Sequence, residues 1–226
     1  MKIFDLTRKI EPTMPVFPGD APPRFRLVAD YHGAGYRETE VTLTGHTGTH
    51  VDAPSHVIPG GKTVSGLAPE CFCGSAAVLR LQPHTEKITV EHFLRCPGAE
   101  AADFLLISSG WETLWGREEY FTGYPLLDEE AARWLSVSHK KGVGLDVMSI
   151  DAVASTDLPL HRLVLGGGVV IFENLCRLRE LPCGPVKFCA FPLNLNDADG
   201  APVRAVAFTK CRRSALPTLR RSFLIF

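Results

Sequence analysis

HTGTHVDAPSH, residues 46 to 56, carries His46, His50, Asp52 and His56. No packing requirement explains so many ligand-type side chains at such spacing. Neutral imidazole and carboxylate together suit zinc, manganese or iron, and the absence of cysteine from the run argues against a structural zinc site. A helix would place His46 and His50 on one face, but Thr47, Gly48, Thr49, Val51 and Pro54 are poor helix formers. A straight strand fails too, since residues four apart lie roughly 13 Å apart, whereas two nitrogens on one metal can be at most about 4 Å apart. The chain must bend, and Gly48 is the expected place. Pro54 then stiffens the exit, and His56, at an even offset from Asp52, is expected on the same side. The bland alternative is a polar loop of solvated or hydrogen-bonded histidines.

The run resembles the H-x-G-T-H-x-D-x-P-x-H signature of the cyclase family, metal-dependent hydrolases that include bacterial kynurenine formamidases and isatin hydrolases. Further stretches match in order: PVFPGD (Pro15 to Asp20), SGW (Ser109 to Trp111), YPLL (Tyr124 to Leu127), DVMSID (Asp146 to Asp151) and FENL (Phe172 to Leu175). The resemblance implies that His46, His50 and Asp52 hold a first metal. It implies that Asp52 bridges to a second ion held by His161 and Glu173, and that His56 transfers protons. It also implies a small aryl amide substrate such as N-formylkynurenine, with a cyclic amide opened at a single metal, as in isatin hydrolase, as the runner-up. The ion expected is zinc, with manganese as the alternative, one or two per chain. The family places an aromatic residue, typically tryptophan, of the proline-rich loop against substrate. Phe17 occupies that place here and departs from the pattern.

The residues lend this independent, weaker support. Glu173 ends a strongly apolar stretch, where an unpaired carboxylate is costly, so it needs a metal, a salt bridge to a following arginine, or donors. His161, read as lying in a loop before a buried strand, is by itself equally an ordinary hydrogen-bonded histidine. Asp146, Ser149 and Asp151 are candidates either for orienting ligands or for capping and turns. Trp111 is a candidate pocket wall, against the more common fate of core packing.

The 226 residues are 45% hydrophobic and 22% charged with a net charge of −1, an ordinary globular composition suited to one domain over 1–226. No basic stripe invites nucleic acid, and no apolar stretch is long enough to span a bilayer. MKIFDLTRKI lacks the apolar core of a signal peptide, so a cytoplasmic enzyme is expected. Seven cysteines, Cys71, Cys73, Cys96, Cys176, Cys183, Cys189 and Cys211, form no C-x-x-C pair and read as reduced thiols.

Strands are expected at KIFDLT, at Glu38 to Gly45 leading into the metal run, at Ala76 to Leu81, Asp103 to Ser108, Gly142 to Asp146, Val186 to Phe191 and Ala205 to Thr209. The stretch LVLGGGVVIFENL reads as a glycine run giving way to a strand that ends on Glu173. Helices are expected at ITVEHFLR, capped by Thr89, and at Asp128 to Ser138, capped by Asp128. Five prolines between Pro12 and Pro23 predict a stiff, extended segment, read either as a surface arm or as a reach over the site. Helices are too few for every strand crossover, so an α/β fold around a mixed sheet is expected. The family resemblance makes that sheet barrel-like, in a swivelling β/β/α architecture. It further implies a homodimer or homotetramer, with the N-terminal region against a neighbouring subunit. A serine hydrolase lacks its G-x-S-x-G elbow, and GGG at 166–168 lacks a nucleotide-binding context. The alternative from another class is a non-catalytic, metal-stabilised binding or assembly protein, which the presence of His56 and Pro54 disfavours.

Overall fold

The computed structural model describes residues 1–182 and 184–209; Cys183 and Cys211 lie outside the described residues. Among the described residues there are twelve strands: β1 (Lys2–Asp5), β2 (Arg24–Ala29), β3 (Glu38–Thr42), β4 (His50–Asp52), β5 (Cys73–Arg80), β6 (Lys87–Ile88), β7 (Phe104–Ser108), β8 (Leu126–Leu127), β9 (Gly142–Leu145), β10 (Val170–Glu173), β11 (Val186–Pro192) and β12 (Gly200–Thr209). Three α-helices accompany them, α1 (Val90–Arg95), α2 (Glu129–Val137) and α3 (Pro159–Gly166).

Seven strands close into a ring in the order β12-β11-β5-β7-β9-β10-β4, and β4 pairs back onto β12. The β5-β7-β9-β10 stretch is parallel and the remaining pairings are antiparallel, so the expected mixed, barrel-like sheet is what forms. Strand alternation sorts the side chains of this sheet. Phe104, Leu106, Phe172 and Phe188 fill one cluster, where the three phenyl rings meet edge to face with centroids 5.3 to 6.1 Å apart. Leu105, Ile107, Val143, Leu145 and Ile171 face the other way, onto Phe93 of α1, Leu135 of α2 and Val164 of α3. Helix starts follow the sequence: Thr89 forms a capping box with His92, and the Asp128 side chain accepts from the Ala131 amide.

Two expectations are corrected. The strand read from Glu38 to Gly45 does not run into the metal motif; β3 ends at Thr42 and pairs with β2 in a separate two-stranded hairpin. The motif has its own strand, β4. His161 is not in a loop but in the first turn of α3, which also takes in Leu163 to Gly166. Pro159 pre-sets the helical φ at the start, and Asp151, far back in sequence, accepts from the amides of Leu160 and His161. The local glycine pattern carries no trace of that cap.

Candidate metal centre

The bend in HTGTHVD falls at Gly48, whose φ of 67° is left-handed. It lets His46 turn back over β4. Within β4, Val51 points into the phenylalanine cluster, so His50 and Asp52 on either side of it share the opposite face. The register sets Glu173 of β10 opposite His50 and Ile171 opposite Asp52. Glu173 therefore emerges beside the two motif residues. α3 delivers His161 to the same place, and Pro54 opens a single 3₁₀ turn that carries His56. His56 reaches the common cavity through that turn rather than by strand alternation.

The side chains form three overlapping sets of nitrogen and oxygen donors: His46–His50–Asp52 and the fully buried Asp52–His161–Glu173, which share Asp52, and a more exposed set, His46–His56–Asp199. Asp52 Oδ1 lies 2.8 Å from His46 Nδ1 and 3.2 Å from His50 Nε2. Asp52 Oδ2 lies 3.6 Å from His161 Nε2, which is 3.3 Å from Glu173 Oε1. That Oδ2 is buried and accepts no hydrogen bond. A buried carboxylate with imidazoles on one oxygen and no donor on the other, which faces His161 and Glu173 across the cluster, is an environment that a divalent cation fits. Both buried histidines are oriented from behind. His50 Nδ1 donates to Gly48 O at 2.8 Å, and His161 Nδ1 donates to Asp151 Oδ2 at 2.7 Å. Each arrangement leaves Nε2 facing Asp52 and Glu173.

The electrostatics express the same crowding. Burial penalises the charged form of His46, yet hydrogen bonds to Asp199 and Asp52 lift its pKa to about 10. Burial likewise opposes charge on His161, and its bonds to Asp151, Asp52 and Glu173 raise it well above the usual range. For Asp52 burial pushes upward, but the surrounding imidazoles, His50 first, hold it well below the usual carboxylate range.

A cavity of about 270 Å³ opens over this cluster. His46, His50, Asp52, His56, His161 and Glu173 line it, and Pro15, Val16 and Phe17 of the proline-rich loop lie on its wall with Met148 and Leu158. Glu173 accepts from the Ile150 amide at 3.1 Å. Among the described residues no arginine pairs with Glu173, the alternative to a metal that its sequence position left open; Arg177 pairs with Glu180 at 2.7 Å. Of the DVMSID residues, Asp151 orients His161 and caps α3, and the Ser149 hydroxyl accepts from the Asp151 amide. Asp146 lies outside the cavity and ties down Ser109 and Gly110.

Trp111 is the correction here. Its indole donates to Tyr120 O at 3.0 Å and its ring packs edge-on to Tyr124, away from the histidine cavity. Asp146 fixes the preceding Ser109–Gly110 step, which turns the indole toward the core. Sequence reasoning missed Asp199, whose Oδ2 lies 3.0 Å from His46 Nε2 and 3.1 Å from His56 Nδ1. The only signal available was an Asp-Gly step before a late strand, 143 residues from His56.

The family model described as "Putative cyclase" matches residues 4–152. A kynurenine formamidase of Salinibacter ruber is 31% identical over 208 residues, covering 91% of this chain and 97% of that protein. One of Geobacillus thermodenitrificans is 30% identical over 203 residues, covering 89% and 95%. Among solved structures, isatin hydrolase A from Labrenzia aggregata superposes with a TM-score of 0.79 at 26% identity, covering 91% of this chain and 93% of that one. The matched stretch includes the whole HTGTHVDAPSH run, and the likeness extends over nearly the full fold. The chain belongs to the cyclase family.

Proposed function

We propose that this chain is a metal-dependent amidohydrolase that cleaves the amide C–N bond of a small aryl formamide, N-formylkynurenine being the type substrate. The observation that carries the reading is Asp52, whose two oxygens face two separate nitrogen and oxygen donor sets while His56 stands on the same cavity. In this reading His46, His50 and Asp52 hold one divalent ion, Asp52, His161 and Glu173 hold a second, and zinc is favoured over manganese by the histidine-rich donor set. Ions bound there supply Lewis acidity and make water nucleophilic at neutral pH.

The protein's own part is orientation and proton handling. Gly48 O and Asp151 fix the His50 and His161 rings so that neither rotates as substrate enters. Phe17, Val16 and Leu158 offer an apolar wall to an aryl ring. His56 takes a proton from the attacking water and returns it to the leaving nitrogen, a role suited to imidazole near neutrality. Kynurenine formamidases among the relatives support the open-chain amide. The second reading, a cyclic amide opened by the same chemistry, is favoured by the likeness to isatin hydrolase A and by Phe17 where formamidases typically carry tryptophan.

Two further elements belong to this reading. Phe25, Leu27, Val28 and Val41 on the β2–β3 hairpin are exposed, an apolar set that supports a homodimer or homotetramer. The five described cysteines are free thiols, which supports a cytoplasmic enzyme, and the single closed ring of strands among the described residues supports one domain. Among the described residues no helix is long and apolar enough to cross a membrane. Metal analysis of protein purified without added metal, with parallel hydrolysis assays on N-formylkynurenine and isatin, tests the proposal. Metal-dependent turnover of the formamide supports it, turnover of isatin alone selects the second reading, and bound metal with neither activity leaves a binding protein.

A further inference from the structure

Asp199 receives two imidazoles on one carboxylate oxygen, His46 Nε2 at 3.0 Å and His56 Nδ1 at 3.1 Å. The two rings stand 4.2 Å apart between centroids. The carboxylate is set in place by backbone. The Asp199 carbonyl accepts from the Ala53 amide at 2.8 Å, and Gly200 pairs with Asp52. A Cβ at Gly200 would come within 2.6 Å of the His46 ring, so this Asp-Gly step lies directly against the imidazole. An ionised carboxylate only accepts, so each ring nitrogen facing it carries a hydrogen. His46 Nδ1 faces the Asp52 carboxylate in the same way at 2.8 Å, so the metal-free ring carries both hydrogens. With Nε2 held by Asp199, the hydrogen on Nδ1 is the one that an ion in the first donor set would displace. On His56 the same rule leaves Nε2 as the nitrogen free to exchange a proton in the cavity.

We propose that Asp199 is a positioning residue shared by a metal-binding histidine and the proton-transferring histidine, fixing the tautomer of both through one oxygen. It rests on the hydrolase reading only for the task given to His56; the tautomer and the metal affinity stand apart from it. Asp199 is half exposed, with 51% of its side chain open to solvent, so its ion pairs add little to folding stability. Its effect is orientation. A carboxylate behind a metal-bound imidazole typically changes metal affinity 10–100-fold, and a wrong tautomer at a catalytic histidine costs up to about 10⁴ in rate.

The test compares zinc-loaded wild type with Asp199→Asn and Asp199→Glu. Long-range ¹H–¹⁵N spectra of ¹⁵N-histidine protein report the ring tautomers, and chelator competition reports zinc affinity. His56 is expected with its hydrogen on Nδ1 in wild type, and as a tautomer mixture in Asp199→Asn. Zinc binding in that variant should weaken about 10–100-fold, and kcat should fall about 10²–10⁴-fold with KM changed by less than about threefold. Asp199→Glu should recover part of each, and thermal unfolding should hardly move. An unchanged tautomer with unchanged zinc affinity overturns the proposal, as does loss of one whole ion per chain in Asp199→Asn, which would make Asp199 a ligand. Should wild type hydrolyse no aryl amide, the hydrolase reading falls, while the spectra and the zinc titration still decide the role of Asp199.

Discussion

Asp52 and Asp146 are both fully buried carboxylates from motif stretches of the same chain, and they have opposite surroundings. Asp146 is saturated by neutral donors: the Ser109 amide and hydroxyl reach Oδ1 at 2.9 and 2.6 Å, and the Gly110 amide reaches Oδ2 at 2.8 Å. Even so, burial outweighs those bonds and pushes its pKa up. Asp52 has imidazoles on Oδ1 and no donor on Oδ2, and its pKa is driven down. Burial is common to both, so it is the partners that distinguish a carboxylate closing a turn from one shaped to take a cation.

The largest expected effect follows at Asp52. Asp52→Asn replaces one oxygen of the carboxylate shared by both donor sets with a non-ligating amide nitrogen and removes its charge, so metal content measured by mass spectrometry should fall toward zero and turnover to background. A variant keeping full metal and normal rate would erase the distinction between the two aspartates. His56→Ala should keep its metal and lose about 10²–10⁴-fold in kcat; parallel loss of metal would add His56 to the donor sets. Glu173→Gln strikes the second set alone, and titration into stripped protein should show two ions per chain falling toward one. Equal stoichiometry in wild type and variant would favour the single-metal reading.

Protonation sharpens the contrast further. In the metal-free protein His46 and His161 hold protons at neutral pH because their pKa values are raised, that of His46 to about 10. Metal must displace those protons, so affinity should rise with pH between about 7 and 10, by about tenfold per unit for each proton released. Calorimetry in buffers of different ionisation enthalpy counts them, and a pH-independent affinity would contradict the charged, metal-free cluster. The smallest effect belongs to Asp146→Asn. It exchanges an acceptor for a donor facing the Gly110 amide and should cost about 1–3 kcal/mol, a lowering of Tm by several degrees, with metal content intact.

Much of the centre was legible because its first part is local. His46, His50 and Asp52 lie within seven residues, and the impossibility of closing on a metal with a straight strand located the bend at Gly48. Thr89 and Asp128 announced their helices because caps are short-range chemistry. α3 was misread because its cap, Asp151, lies eight residues before Pro159 and beyond any local pattern. Trp111 was read as a candidate pocket wall because an indole beside a motif suits a pocket as well as a core, and only the loop tied to Asp146 decides between them.

The sequence by itself determined the donor types, the bend that brings the first set together, and the alternation that separates Val51 from its ligand-bearing neighbours, because these depend on backbone geometry over a few residues. Tertiary structure alone decided that β4 lies between β10 and β12, which places Glu173 opposite His50 and Gly200 opposite Asp52. It also brought Asp199 to His56 across 143 residues. Closing the barrel fixes that register, and pairings between strands so distant in the chain leave no periodic mark in the sequence that a local reading could find.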